Sequence, residues 1–205
     1  MKQQQVLLGI VGVVVLAAVG YMFFGGQNSE DYRQKILDER ERQYKFLRYN
    51  DESPLTDKQK LAFDSLVCFP VDEKYSVRAR MVPLQQKQLL EIPMTDGSME
   101  TYVKHSYVDF ELEGKSCRLL LLQAADEPDK KNFFLPFADE TSGELTYGGG
   151  RYLNLRQDGM NSITIDFNLA YNPYCAYNPD FACPIPPKEN ILDLPIKAGE
   201  KNYLK

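Results

Sequence analysis

The chain has 205 residues and a formal net charge of −5, with 13 tyrosines, 11 phenylalanines and no tryptophan. That is a globular composition, long enough for one real core, and no Lys/Arg stripe alternates with aromatics, so the footprint of a nucleic-acid binder is missing. Four cysteines without a CxxC and a single histidine, His105, leave little room for nucleophilic triads or histidine-based metal sites.

Val6 to Phe24, VLLGIVGVVVLAAVGYMFF, is apolar apart from Tyr21. At ~1.5 Å per residue it spans roughly 28 Å, about one hydrocarbon core. A cleaved signal peptide with Ala18-Val19-Gly20 at its cleavage site is the competing reading. The apolar core of such a peptide runs only about 7–15 residues, and continuation through Phe24 favours a retained anchor. Lys2 precedes the run, and Glu30 and Asp31 follow it, which orients the N-terminus to the cytoplasm. The expectation is a single-pass anchor over 1–26 in the inner (cytoplasmic) membrane, with the rest of the chain in the periplasm.

Residues 27–52 read as a charged helical spacer. Asp31/Lys35, Asp38/Arg42 and Glu41/Lys45 are acid-before-base pairs at i,i+4, each worth ~0.3–0.5 kcal/mol. Tyr32, Ile36, Tyr44 and Leu47 form a thin apolar stripe, so a solvated helix is favoured over one that binds a protein partner through 31–49. Thr56 with Gln59 three residues on predicts a short helix through Leu66.

From Tyr75 the period changes to two. Val77, Ala79 and Met81 alternate with polar neighbours, as do Val108, Phe110 and Leu112; Phe133, Leu135 and Phe137; Leu153 and Leu155; and Ile163, Ile165, Phe167 and Leu169. Arg118–Leu122 is apolar on both faces, as a central strand is, and Pro136 marks an edge or a strand end. With Gly97, Gly114, Gly143 and Gly159 between the runs, residues 53–205 predict a mainly β domain, a small antiparallel barrel or sandwich.

YGGGRYL, from Tyr147 to Leu153, lacks the Gly-Lys-Ser/Thr of a phosphate loop and predicts a glycine turn before a strand. Asp109, Glu111 and Glu113 form a solvated row, with His105 exposed beside them. Thr164, Asp166 and Asn168 are the polar face of an otherwise apolar strand. That strand leads into AYNPYCAYNPDFACPIPP, Ala170 to Pro187, where proline bars a regular element. This stretch is expected to be an irregular lid over one end of the barrel, held by Asp166, Asn168 and Asn172 bonding its backbone, with a polar pocket beneath it. Arg151 and Asp166 are placed on successive strands of a hairpin, as a partly buried ion pair beneath the lid. Cys175 and Cys183 are a candidate disulfide; a metal held by the two thiolates with carboxylates or Asn is the lesser reading, so no metal and no cofactor is expected. Cys68 and Cys117 read as buried free thiols.

SPL (Ser53–Leu55), FDSLVCFPVD (Phe63–Asp72), FADETSGELTYGGGRYL (Phe137–Leu153), IDFNLAYNPYCAYN (Ile165–Asn178), CPIPPKEN (Cys183–Asn190) and IKAGEK (Ile196–Lys201) together resemble the bacterial proteins called domain of unknown function 1684. The resemblance is to a short form without the tryptophan-rich N-terminal half of many relatives. It implies no activity, but it places Arg151, Asp166, Asn168, Tyr171, Asn172, Cys175, Cys183, Asn190 and Glu200 in the family motif. Apart from the two cysteines, these are the candidate ligand-binding residues. The expected function is an envelope binding module for a small polar ligand. The alternatives are an enzyme built on Asp166 and a second carboxylate such as Glu200, with or without a metal, and a structural subunit of a membrane complex.

Overall fold

The computed structural model describes residues 29–203. The expected anchor at 1–26 lies outside them. Among the described residues no helix is long and apolar enough to cross a membrane. The chain divides into two compact units, Met1–Asp38 and Glu39–Lys205. The second carries the sheet and every candidate site residue.

Residues 29–49 are helical (α1). The part of α1 in the second unit is not the solvated spacer expected over 27–52. Leu47 is buried with Leu55, Phe63, Ala176 and Tyr177, and Tyr44 stacks on Phe63 at 5.7 Å. Arg40 donates to the carbonyls of Phe69 (2.9 Å) and Asn168 (3.0 Å). A stripe too thin to look like a docking face is sufficient because arginine and glutamine heads complete it. Of the predicted i,i+4 pairs, Glu41–Lys45 forms at 3.4 Å, whereas Arg42 turns to Glu39. Helix α2, Asp57–Ala62, starts on the predicted capping box of Thr56 and Gln59. It stops before Leu66, since Phe63 is extended and gives its carbonyl to Arg48.

Six strands follow: β1 Ser76–Pro93, β2 Met99–Leu112, β3 Lys115–Ala124, β4 Asn132–Phe137, β5 Arg151–Arg156 and β6 Ser162–Asp166. They form one antiparallel sheet in the order β5-β4-β3-β2-β1-β6, curled into a nearly closed barrel. Its interior holds the apolar side chains of the predicted alternation, among them Ala79, Val108, Leu119, Leu121, Leu135, Leu153, Ile163 and Ile165. Two departures from the pattern bear on candidate residues. A register shift between Lys104 and Ser106 puts His105 at a bulge, so it packs on Phe133 at 4.5 Å rather than joining an exposed row. And β6 ends at Asp166, because that carboxylate caps a 3-10 turn over Phe167–Leu169.

The sheet order also overturns the expected β5–β6 hairpin. Those strands are the two ends of the sheet. Asp166 faces Ser76 on β1, and the carboxylate partner of Arg151 is Asp139, at 2.9 Å. β5 meets the chain beyond β6 through one bridge, with Tyr152 and Tyr171 exchanging backbone hydrogen bonds of 2.9 and 3.1 Å. This seam closes the wall.

The C-terminal segment is built into the core, and an irregular lid over one end of the barrel finds no support. Tyr174–Tyr177 is a one-turn helix, α3, despite the prolines around it. Leu192, Leu194, Ile196 and Ala198 alternate inward and belong to the main core. Asn190 repairs the sheet itself. β3 and β4 are in register only at Leu122 and Phe134. Where they part, the Asn190 carboxamide accepts from Leu120 N (2.6 Å) and donates to the carbonyls of Leu120 (3.0 Å) and Pro136 (2.8 Å). Thus Pro136, which has no N–H to give a neighbour, sits where a side chain replaces the strand.

Candidate functional site

The sequence-predicted residues divide among three places. The first is the seam. Gly150 has φ +86°, and a Cβ there would lie 2.6 Å from the Phe137 carbonyl oxygen, so only glycine brings the chain close enough to start β5. Arg151 follows, fully buried, with its guanidinium 5.3 Å from the centre of the Phe137 ring. It donates to the carbonyls of Ile196 (2.9 Å), Ala198 and Glu200 (3.2 Å). Asp139 accepts from Ile196 N at 3.1 Å and from Thr141 N and Oγ1 at 2.8 and 2.6 Å. Together the two side chains hold an extended segment that has no partner strand there. Burial lowers the Arg151 pKa and the Asp139 charge opposes it; an arginine keeps its proton regardless.

Glu200 is 3% exposed. It accepts from Asn172 N (2.8 Å), the Tyr177 hydroxyl and Gln43 Nε2 (3.3 Å). Burial pushes its carboxyl up to about 7, against the pull of the Tyr177 and Asn172 hydrogen bonds. Asn172 spends its amide on the Lys201 carbonyl at 2.7 Å. Arg151, Asn172 and Glu200 are therefore brought together.

Asp166 and Asn168 are bonded to each other instead. Asp166 accepts from Asn168 N and Nδ2, both at 3.0 Å. The Asn168 carboxamide then grips both backbone groups of Asp72, at 3.0 and 2.8 Å. Asn190 patches the gap between β3 and β4. Asn168 and Asn190 thus serve backbone groups that lack a strand partner, but the bonds of Asp166, Asn168 and Asn172 described above reach the backbone of Asn168, Asp72 and Lys201 rather than that of the expected segment 170–187.

The second place is the thiol pair. Cys175 and Cys183 are free thiols here, as are Cys68 and the buried Cys117. They are nonetheless neighbours: Cys175 N donates to Cys183 Sγ at 3.1 Å, and the Tyr147 hydroxyl donates to Cys175 Sγ at 3.6 Å. No group of three or more His, Cys, Asp and Glu side chains capable of holding a metal occurs among the described residues.

The third place was not visible in the sequence. A groove of about 540 Å³ crosses the ends of β2 to β5, lined by Tyr102, Gln123, Glu127, Phe134, Asn154 and Arg156 with their neighbours. Tyr102 and Phe134 line it, stacked at 5.6 Å. Outside the lining, the ring contacts continue from Phe134 edge-on to Tyr152 at 4.9 Å and from Tyr152 edge-on to Tyr171 at 6.0 Å. Tyr171 is the one candidate residue that reaches this rim, through a 2.9 Å bond from Asn154 Nδ2 to its hydroxyl. The signal was Phe134, Tyr152 and Asn154 on the outward parity of their strands; Tyr102 shares the parity of inward-facing Val108 and reaches the outer face only because the bulge at His105 shifts the register.

Residues 61–201 match the family described as protein of unknown function (DUF1684). The chain belongs to that family. The DUF1684 match takes in every candidate residue of the seam and the thiol pair, and leaves Ser53–Leu55 outside. A solution NMR structure of an uncharacterised protein from Haloarcula marismortui is similar, with 34% identity and a TM-score of 0.66 over 85% of this chain and 96% of that one. Comparison with curated proteins gives no match.

Proposed function

We propose that the protein is a binding module rather than a carboxylate enzyme, anchored in the cytoplasmic membrane with its domain in the periplasm, and that it takes a small polar ligand with one apolar face, of the saccharide kind. The anchored location is supported by the apolar run from Val6 to Phe24 and the charges that flank it. We put the ligand site in the groove rather than beneath 170–187, where Ala176 and Tyr177 pack with Leu47, Leu55 and Phe63.

The observation that carries this reading is the contrast in how polar groups are used. Asp139, Arg151 and Glu200 are buried and bonded to the protein's own backbone and side chains, which is a poor arrangement for proton transfer to a substrate. In the groove, Asn154 and Arg156 are exposed and share the lining with the rings of Tyr102 and Phe134; their bonds to the Tyr171 hydroxyl and to Asp129 and Asn132 lie at the water-facing surface, where a ligand can exchange with them. A pocket needs such an apolar floor with a few placed polar groups. A sugar ring offers the complement, C–H bonds for the ring face and hydroxyls for the carboxamide. Calorimetric titration of the full chain in detergent with N-acetylglucosamine oligomers and other oligosaccharides tests the idea. Binding that weakens tenfold or more in Asn154→Ala is the expected result; no heat with any oligosaccharide, or binding that ignores Asn154→Ala, defeats it.

A further inference from the structure

The two neighbouring thiols are held by separate parts of the fold. Cys183 is fixed to the end of the β1–β2 hairpin: its N–H donates to Thr95 Oγ1 (3.0 Å), its carbonyl accepts from Thr95 N (3.0 Å), and Ile185 N donates to the Pro93 carbonyl (2.9 Å). Cys175 sits in α3, whose Ala176 and Tyr177 are anchored in the cluster formed with Leu47 and Phe63. Between them, Pro179 and Asp180 are exposed. The two sulfurs are thus brought together by the fold rather than by the loop that joins them. They are also unequal. Cys183 is 5% exposed, whereas Cys175 is half-buried and therefore the more accessible.

We propose that Cys175 and Cys183 form a thiol–disulfide exchange site, with Cys175 as the attacking thiolate, Cys183 as the resolving thiol and a disulfide as the substrate. The proposal does not rest on the groove. In the first step the Cys175 thiolate attacks one sulfur of R–S–S–R′. That S–S bond breaks, R′S⁻ leaves and takes up a proton, and a mixed disulfide R–S–S–Cys175 forms. Cys183 then gives up its proton and attacks the Cys175 sulfur, and RS⁻ leaves and is protonated. The chain's dithiol has lost two electrons and two protons, and the substrate disulfide has become two thiols. Rates of such exchange follow the thiolate fraction and access of the attacking sulfur. The environment favours that assignment: hydrogen bonds from Cys183 and Tyr147, opposed by burial, bring the Cys175 thiol down to about 6, while the bond to Cys175 and burial push Cys183 up.

The test equilibrates the folded full-length chain, reduced beforehand, with mixtures of reduced and oxidised glutathione over tenfold steps, followed by acid quench, alkylation and peptide mapping. The expected result is a Cys175–Cys183 disulfide that forms and is reduced again within that range. In Cys183→Ser, glutathione should remain on Cys175, at least tenfold above its level in the unmodified chain; in Cys175→Ser it should not accumulate on Cys183. Three results each overturn the proposal. One is a disulfide that excess reduced glutathione cannot open in the folded chain, which would make it a fixed staple. The others are no disulfide at any ratio, and glutathione accumulating on Cys68 or Cys117 in preference to Cys175. Because the unmodified chain is scored by mapping alone, the outcome does not depend on either variant folding.

Discussion

Two arginine–aspartate pairs of similar geometry stand in this barrel. Arg151 meets Asp139 at 2.9 Å at the seam, where both side chains are fully buried. Arg118 meets Asp109 at 2.6 Å on the outer face of β2 and β3, with Arg80 of β1 joining the same carboxylate at 2.9 Å. There Arg118 and Arg80 are 58% and 72% exposed. On the outer face water screens every charge, and the sheet beneath is already held by strand pairing. At the seam no strand is available to them, so the ion pair itself supplies the donors for the carbonyls of Ile196, Ala198 and Glu200 and the acceptor for Ile196 N. Distance alone says little about what an ion pair does; what else would satisfy its surroundings says more.

The sharpest way to break the comparison is to remove one partner of each pair. Arg151→Met leaves Asp139 buried without its counter-charge and strips three carbonyls of their donor. A stranded buried charge typically costs ~3–5 kcal/mol. Asp139→Asn should fall in the same range, and the double variant should cost clearly less than the sum, because the two act as one unit. Urea unfolding of the three variants measures this. Single variants that unfold with the wild type would mean that segment 196–200 holds its place without the pair.

The same contrast separates the legible parts of the sequence from the rest. The barrel is legible because alternation with period two survives over long stretches of its strands: Val108, Phe110 and Leu112 point inward as their spacing requires. The capping box at Thr56 and the glycine turn before Arg151 are legible because their chemistry is local. That polar residues around 166–172 serve the backbone is legible too, from side-chain type alone. Their partners are not. Pairing Arg151 with Asp166 assumes that consecutive strands are neighbours, whereas the wall runs β5-β4-β3-β2-β1-β6 and closes on itself. Asp139 lies in the FADETSGELTYGGGRYL motif but carries no periodic signal, since it falls just past the end of β4. Nor can a thin stripe on α1 announce that Arg40 and Gln43 tie it to Asn168 and Glu200.

Glu200 sharpens the comparison within the seam. Its folded pKa, about 7, lies above the ordinary 4.5. Between those values the folded chain holds a proton that the unfolded chain has released, so stability falls as pH rises through the window, by on the order of 3 kcal/mol at most. Two groups act in the opposite sense. Burial lowers His105, whose stabilising effect is recovered as pH rises towards its ordinary 6.5, and the lowered Cys175 adds stability as pH rises above about 6. The decisive quantity is therefore the wild type minus Glu200→Gln, compared by urea midpoint at pH 4.5 and pH 7.5. Wild type should lose more stability than Glu200→Gln over that interval. Equal losses would show that Glu200 is ionised throughout.

The smallest effect is expected on the outer face. Asp109→Asn removes the carboxylate shared by Arg118 and Arg80, yet both guanidinium groups stay in water, where their hydration replaces what is lost. Exposed pairs are worth ~0–1 kcal/mol, and salt weakens them further. Hydrogen bonding to Arg118 keeps the Asp109 carboxyl below its usual range, so its contribution is complete above the ordinary carboxylate pKa and disappears only as pH falls through the lowered value. Urea unfolding at neutral pH should therefore place Asp109→Asn within about 1 kcal/mol of wild type, with the difference shrinking in 0.5 M salt. A loss approaching that of Arg151→Met would mean that the arginines of β1 and β3 depend on Asp109 to lie side by side. The outer network would then be holding the sheet in register, as the buried pair holds the seam.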